Sequence, residues 1–158
     1  MQQSVPRPAP IPAPSGPYGD PPYARDELLH EVFAASALTF AESIAVRLAQ
    51  DDPETPRKDR YSYAELRDRA SRFAHHLRAQ GVRRGDRVLI WLPRGLDQYM
   101  AVLGVLEAGA AYVPCDWSLP RERVEYIAEE SEAFAVVTAM DRAEGFPANV
   151  QCIVPVDE

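Results

Sequence analysis

Few side chains in this 158-residue sequence have the types and spacing that chemistry needs. The thiols are Cys115 and Cys152, each inside an apolar, strand-like run. A nucleophilic thiolate needs a base or a positive neighbour, and a zinc site needs ligands paired at short spacing. Neither pattern surrounds these cysteines, so they read as small buried hydrophobes of a reducing cytosol, which makes the expected location cytoplasmic. The histidines are His30, His75 and His76. None has a Cys or Asp at ligand or catalytic spacing, and adjacent residues on one helix cannot face the same point. Tyr63 and Glu65 read better as parts of a helix start than as active-site groups. Asp116 has a more suggestive setting, because it follows a short apolar run at the carboxyl end of a predicted strand, where open α/β sheets place their ligand crevices. On these grounds no residue is assigned a catalytic, cofactor-binding or metal-binding role.

The elements that must position these residues are organised around Leu106–Asp116, Leu-Glu-Ala-Gly-Ala-Ala-Tyr-Val-Pro-Cys-Asp. Gly109 fits the residue just past a helix C-terminus, where positive φ carries no Cβ penalty. Ala110–Val113 then forms a short strand, small enough to pass under its neighbours, and Pro114 lacks a ladder donor and should end the pairing. By itself this is a buried helix-to-strand corner with no chemistry of its own.

Around that corner the chain reads in order. Glu27–Ala35 is a predicted helix with Leu28, Leu29, Val32 and Phe33 on one face. Ile44–Leu48 and Arg60–Tyr63 read as a hairpin whose long polar tip is Asp51–Arg60. Ser62 and Glu65 have capping-box spacing, and Leu66, Ala70, Phe73, Ala74 and Leu77 form one apolar stripe that Gly81 ends. Arg87–Leu92 is too continuously apolar for a half-exposed strand and suits a central one buried on both faces. Asp97–Ala108 is apolar over more than half its circumference and should be the most buried helix. Gly104 inside it costs roughly 1 kcal/mol of propensity, so a close neighbour is expected there. Pro120 suits the first turn of a further helix running to about Ser131, with Val124, Ile127 and Ala128 inside. Phe134–Thr138 and Cys152–Val156 complete the strands. Alternating strands and helices imply a three-layer α/β domain with a mainly parallel sheet, right-handed crossovers and an N-terminal hairpin.

Composition sets bounds on partners. The formal net charge of −7 argues against a dedicated binder of nucleic acid or anionic membrane. Basic residues concentrate between Arg57 and Arg94, but Asp59, Glu65, Asp68 and Asp86 interrupt them, as on a solvated mixed-charge surface. No run of 18 apolar residues suits a membrane span. Residues 1–25 are a Pro-rich stretch without a signal-peptide pattern, expected to be disordered, and the folded part is expected over 26–158.

Tyr61-Ser62-Tyr63-Ala64-Glu65-Leu66 resembles the first core motif of amino-acid adenylation domains of nonribosomal peptide synthetases, within the acyl-adenylate-forming superfamily. Leu106–Asp116 resembles the second. Tyr61 replaces a usual Leu, and Cys115 stands where Ile or Leu is usual. Gly81–Val88 and Pro120–Arg123 fall at the spacing the family shows, and the resemblance covers roughly Leu28 to Thr138, similar only to the N-terminal portion of the enzyme.

The resemblance implies ATP and Mg²⁺ as cofactors of the complete family enzyme and an acyl-adenylate as its product. In the family the phosphates are held by a Ser/Thr/Gly-rich loop ending in Pro-Lys-Gly, by later acidic motifs and by a lysine on a C-terminal lid. None of these occurs between residues 1 and 158, and Lys58 is the single lysine. The expectation is therefore an incomplete N-terminal subdomain, inactive alone, with no cofactor of its own. Its partner would be the remainder of the adenylation domain, covalent or in trans, with a carrier protein beyond it. Self-association through an uncovered sheet edge, at Phe134–Thr138 or Cys152–Val156, is also expected. The alternative is a freestanding binding or docking module, or one half of a split enzyme.

Overall fold

The computed structural model describes residues 28–48 and 60–143, positions 146 and 150, and the backbone of Cys152–Pro155. The Pro-rich stretch, the hairpin tip and the Cys152 side chain lie outside these residues. The elements are α1 (Leu29–Thr39), β1 (Ile44–Arg47), β2 (Arg60–Ser62), α2 (Tyr63–Ala79), β3 (Arg87–Trp91), α3 (Leu96–Ala108), β4 (Ala111–Pro114), α4 (Arg121–Glu130), β5 (Ala135–Thr138), a 3-10 turn (Met140–Arg142) and β6 (Cys152–Pro155). β1 and β2 form the antiparallel hairpin, with a register shift between Ile44 and Val46. The main sheet has the order β4-β3-β5-β6, and all its pairs are parallel.

The alternation of β3 builds the three layers. Val88 and Ile90 pack with Ala135 and Val137 of β5 against Ala74 and Leu77 of α2 and Ala101, Val105 and Ala108 of α3. Leu89 and Trp91 face the other way, with Val136, against Val124 and Ala128 of α4. The chain moves from β3 to β4 in one direction and from β4 past β3 to β5 in the other. Crossovers of one handedness then require α3 and α4 on opposite faces, as observed. A third cluster joins the hairpin to the helices, where Tyr61, Leu66, Leu96 and Met100 are buried with Phe33 and Ala45 packed alongside.

Local signals act as expected at three places. Ser62 Oγ accepts from the Glu65 amide at 3.2 Å and Glu65 Oε2 accepts from the Ser62 amide at 2.8 Å, so the capping box starts α2. Gly109 is left-handed, with φ 90°, and closes α3. A Cβ on Gly104 would stand 2.8 Å from Phe73 Cδ1 and 3.0 Å from the Ala70 carbonyl oxygen, so the missing side chain sets how closely α2 and α3 approach.

Three expectations are corrected. The first helix starts at Leu29 and runs to Thr39, and only half of the face assigned inward is covered: Val32 and Phe33 are half-buried, whereas Leu28 and Leu29 are 55% and 63% exposed. Ala37 is the buried residue of α1. β4 does not pass under neighbours; it is an edge strand among the described residues and leaves Ala111, Tyr112 and Pro114 exposed. Pro114 aligns with Ile90 as the last residue of the ladder, so the pairing ends there as expected. Phe134–Thr138 is not an edge, because β5 is paired with both β3 and β6 and its four residues are buried. A smaller shift puts Pro120 at the N-cap of α4 rather than within its first turn.

Two glycine variants test this geometry by chemical denaturation. Gly109→Val forces a β-branched residue into a left-handed conformation, with Arg84 Cβ 3.4 Å from the new Cβ. A loss of roughly 2 kcal/mol is expected. Gly104→Ala gains roughly 1 kcal/mol of helix propensity, so only crowding makes it destabilising. Overpacking typically costs about 1–3 kcal/mol, and a net loss is expected. A neutral Gly109→Val, or a stabilised Gly104→Ala, contradicts the corner or the helix contact respectively.

Candidate functional site

The carboxyl ends of β3, β4 and β5 are where an open parallel sheet offers a crevice. Here protein groups occupy that end. Trp91, the last residue of β3, lies 5.5 Å from Trp117 between ring centroids at 48°, and 6.1 Å from Phe146 in an edge arrangement. The Arg142 guanidinium carbon sits 3.7 Å from the Trp117 ring centroid and 4.7 Å from that of Trp91. Arg142 Nη1 also donates to the Trp117 carbonyl at 2.9 Å, and Trp91 Nε1 donates to the Asp116 carbonyl at 3.2 Å. Arg121 Nη2 donates to the Arg142 carbonyl at 2.8 Å, and the Arg121 guanidinium covers the Phe146 ring at 4.7 Å. The turn after β5 is thereby clasped onto the turn after β4 and the start of α4.

Asp116 stands beside this clasp at the carboxyl end of β4, as the sequence suggested. Its side chain is engaged in a turn: Oδ1 accepts from the Ser118 hydroxyl at 2.6 Å and the Ser118 amide at 2.8 Å. Those two bonds, with Arg94 nearby, hold its carboxyl below the usual carboxylate range. Both bonds come from Ser118, two residues on, so the carboxylate closes a local turn. Cys115 is buried, and burial pushes its thiol up, away from thiolate reactivity. His75 and His76 are exposed on α2. Tyr63 stacks on Phe33 at 5.7 Å, and Glu65 caps α2. No group of three or more His, Cys, Asp or Glu among the described residues can hold a metal ion.

A separate groove of about 170 Å³ lies among α1, α2 and α3, lined in part by His30, Phe33, Arg67, Ser71 and Glu107. Ser71 donates its hydroxyl to the Glu107 carboxylate, with oxygens at 2.8 and 3.0 Å, which ties α2 to α3. No helix of the described residues is long and apolar enough to cross a membrane.

The clasp was not anticipated. Positions 91, 117 and 142 share no spacing pattern. The available signal was that Trp91 and Trp117 are the chain's two tryptophans, each near a predicted carboxyl strand end. Arg142→Ala removes the cation from both rings together with its hydrogen bond to Trp117. A loss of about 1–2 kcal/mol is expected, with a change in the near-ultraviolet circular dichroism of the tryptophans, and Arg142→Lys should restore only part. Unchanged stability and spectrum would show that the clasp does not form.

Comparison with known proteins places this geometry. The family model described as "AMP-binding enzyme" matches residues 33–157. Tyrocidine synthase 2 of Brevibacillus parabrevis is 36% identical over 139 residues, covering 83% of this chain and 4% of that protein. Syringomycin synthase SyrB1 of Pseudomonas syringae pv. syringae is 39% identical over 109 residues, covering 69% of this chain and 16% of that protein. Among solved structures, the nonribosomal peptide synthetase FmoA3 matches with TM-score 0.71 and 37% identity, over 83% of this chain and 13% of that chain. The N-terminal subdomain of Klebsiella oxytoca NpsA shares the fold, with TM-score 0.66 at 20% identity, over 80% of this chain and 30% of that one. The chain thus spans a small part of each relative. On the family match over residues 33–157 and the relatives at 36–39% identity, the chain belongs to the AMP-binding enzyme family and corresponds to the N-terminal portion of an adenylation domain of the nonribosomal peptide synthetase type.

Proposed function

We propose that this segment is scaffold for an enzyme that activates an amino acid, or another carboxylic acid, with ATP as an acyl-adenylate destined for thioester transfer. The carrying observation is the family match over residues 33–157 together with the kind of residues found there. They build a sheet, a hairpin and a clasped carboxyl end. Support for amino acids comes from FmoA3, at 34–37% identity, whose structures include AMPPNP-bound and α-methyl-L-serine-AMP-bound forms. ATP and Mg²⁺ would then be cofactors of the complete enzyme.

Adenylation stabilises charge developing on the α-phosphate, which requires backbone donors, a lysine and a metal-binding carboxylate converging on one point. The single lysine, Lys58, does not supply that set. The remainder of the domain would supply those groups, in the same polypeptide or in trans, and a carrier protein would accept the acyl group. ATP–pyrophosphate exchange by the 158-residue chain alone, assayed with each of the twenty amino acids, should stay at the no-enzyme blank. Exchange clearly above it would overturn the reading that the chemistry resides elsewhere.

The partner surface follows from the sheet. Among the described residues β4 and β6 each pair on one side, and β4 leaves apolar residues exposed. Unpaired strand edges template association. Without a covering partner the chain should self-associate at micromolar concentration in sedimentation velocity, and Tyr112→Lys should reduce association through the β4 edge. A monomer that binds no hydrophobic dye would favour a self-sufficient docking module, the reading suggested by the Pro-rich residues 1–25.

A further inference from the structure

We draw no further inference here: the strongest candidate, the exposed apolar surface of α1 with Leu29, Leu38 and the neighbouring Phe40, carries nothing because nothing in the structure shows what covers it.

Discussion

Strand β3 is apolar on both faces, and the rest of the domain depends on that constraint. Val88, Leu89, Ile90 and Trp91 are all essentially inaccessible to water. Burying each contributes about 1.5–3 kcal/mol, so four together rival the roughly 5–15 kcal/mol net stability of an ordinary domain. A strand with two apolar faces can only be stable with a layer on each. The α2–α3 layer covers one face and α4 the other. Both sides of its backbone must be paired as well, which puts β4 and β5 beside it.

The close approach of α2 and α3 follows from the same need. Gly104 and Ala70 let the helices come together, and the Ser71–Glu107 bond fixes their register. Arg78 donates to the Glu107 carbonyl near the C-terminus of α3, where a cation is favourable. Gly109 then turns the chain into β4 within one residue. At the opposite end of the strands Trp91, Trp117 and Arg142 clasp the turns after β4 and β5 together.

Much of this is legible in the sequence because it is local. Ser62 and Glu65 declare a capping box three residues apart, Gly109 marks a helix end, and the unbroken run Arg87–Leu92 declares a central strand. The misses share one cause, which is that an apolar pattern says a surface should be covered and not by what. Leu28 and Leu29 stand at the start of an apolar helix and are exposed, and Ala111 and Tyr112 belong to an apolar strand that is an edge among the described residues. Strand order is hidden for the same reason, since each strand's residues fit either neighbour. The late place of β5 in the chain suggests an edge, whereas the reversal at β4 brings it beside β3. The clasp joins residues 25 or more positions apart, beyond the reach of any periodicity.

Amide hydrogen exchange tests the dependence on β3 most directly. If β3 holds both layers, the amides of Leu89 and Ile90 exchange only through global unfolding. Their opening free energy should equal the stability measured by chemical denaturation, while α1 and the outer side of β4 open at far lower cost. Exchange of Leu89 and Ile90 as fast as that of α1 would contradict the account, because the sheet would then open without the rest of the domain.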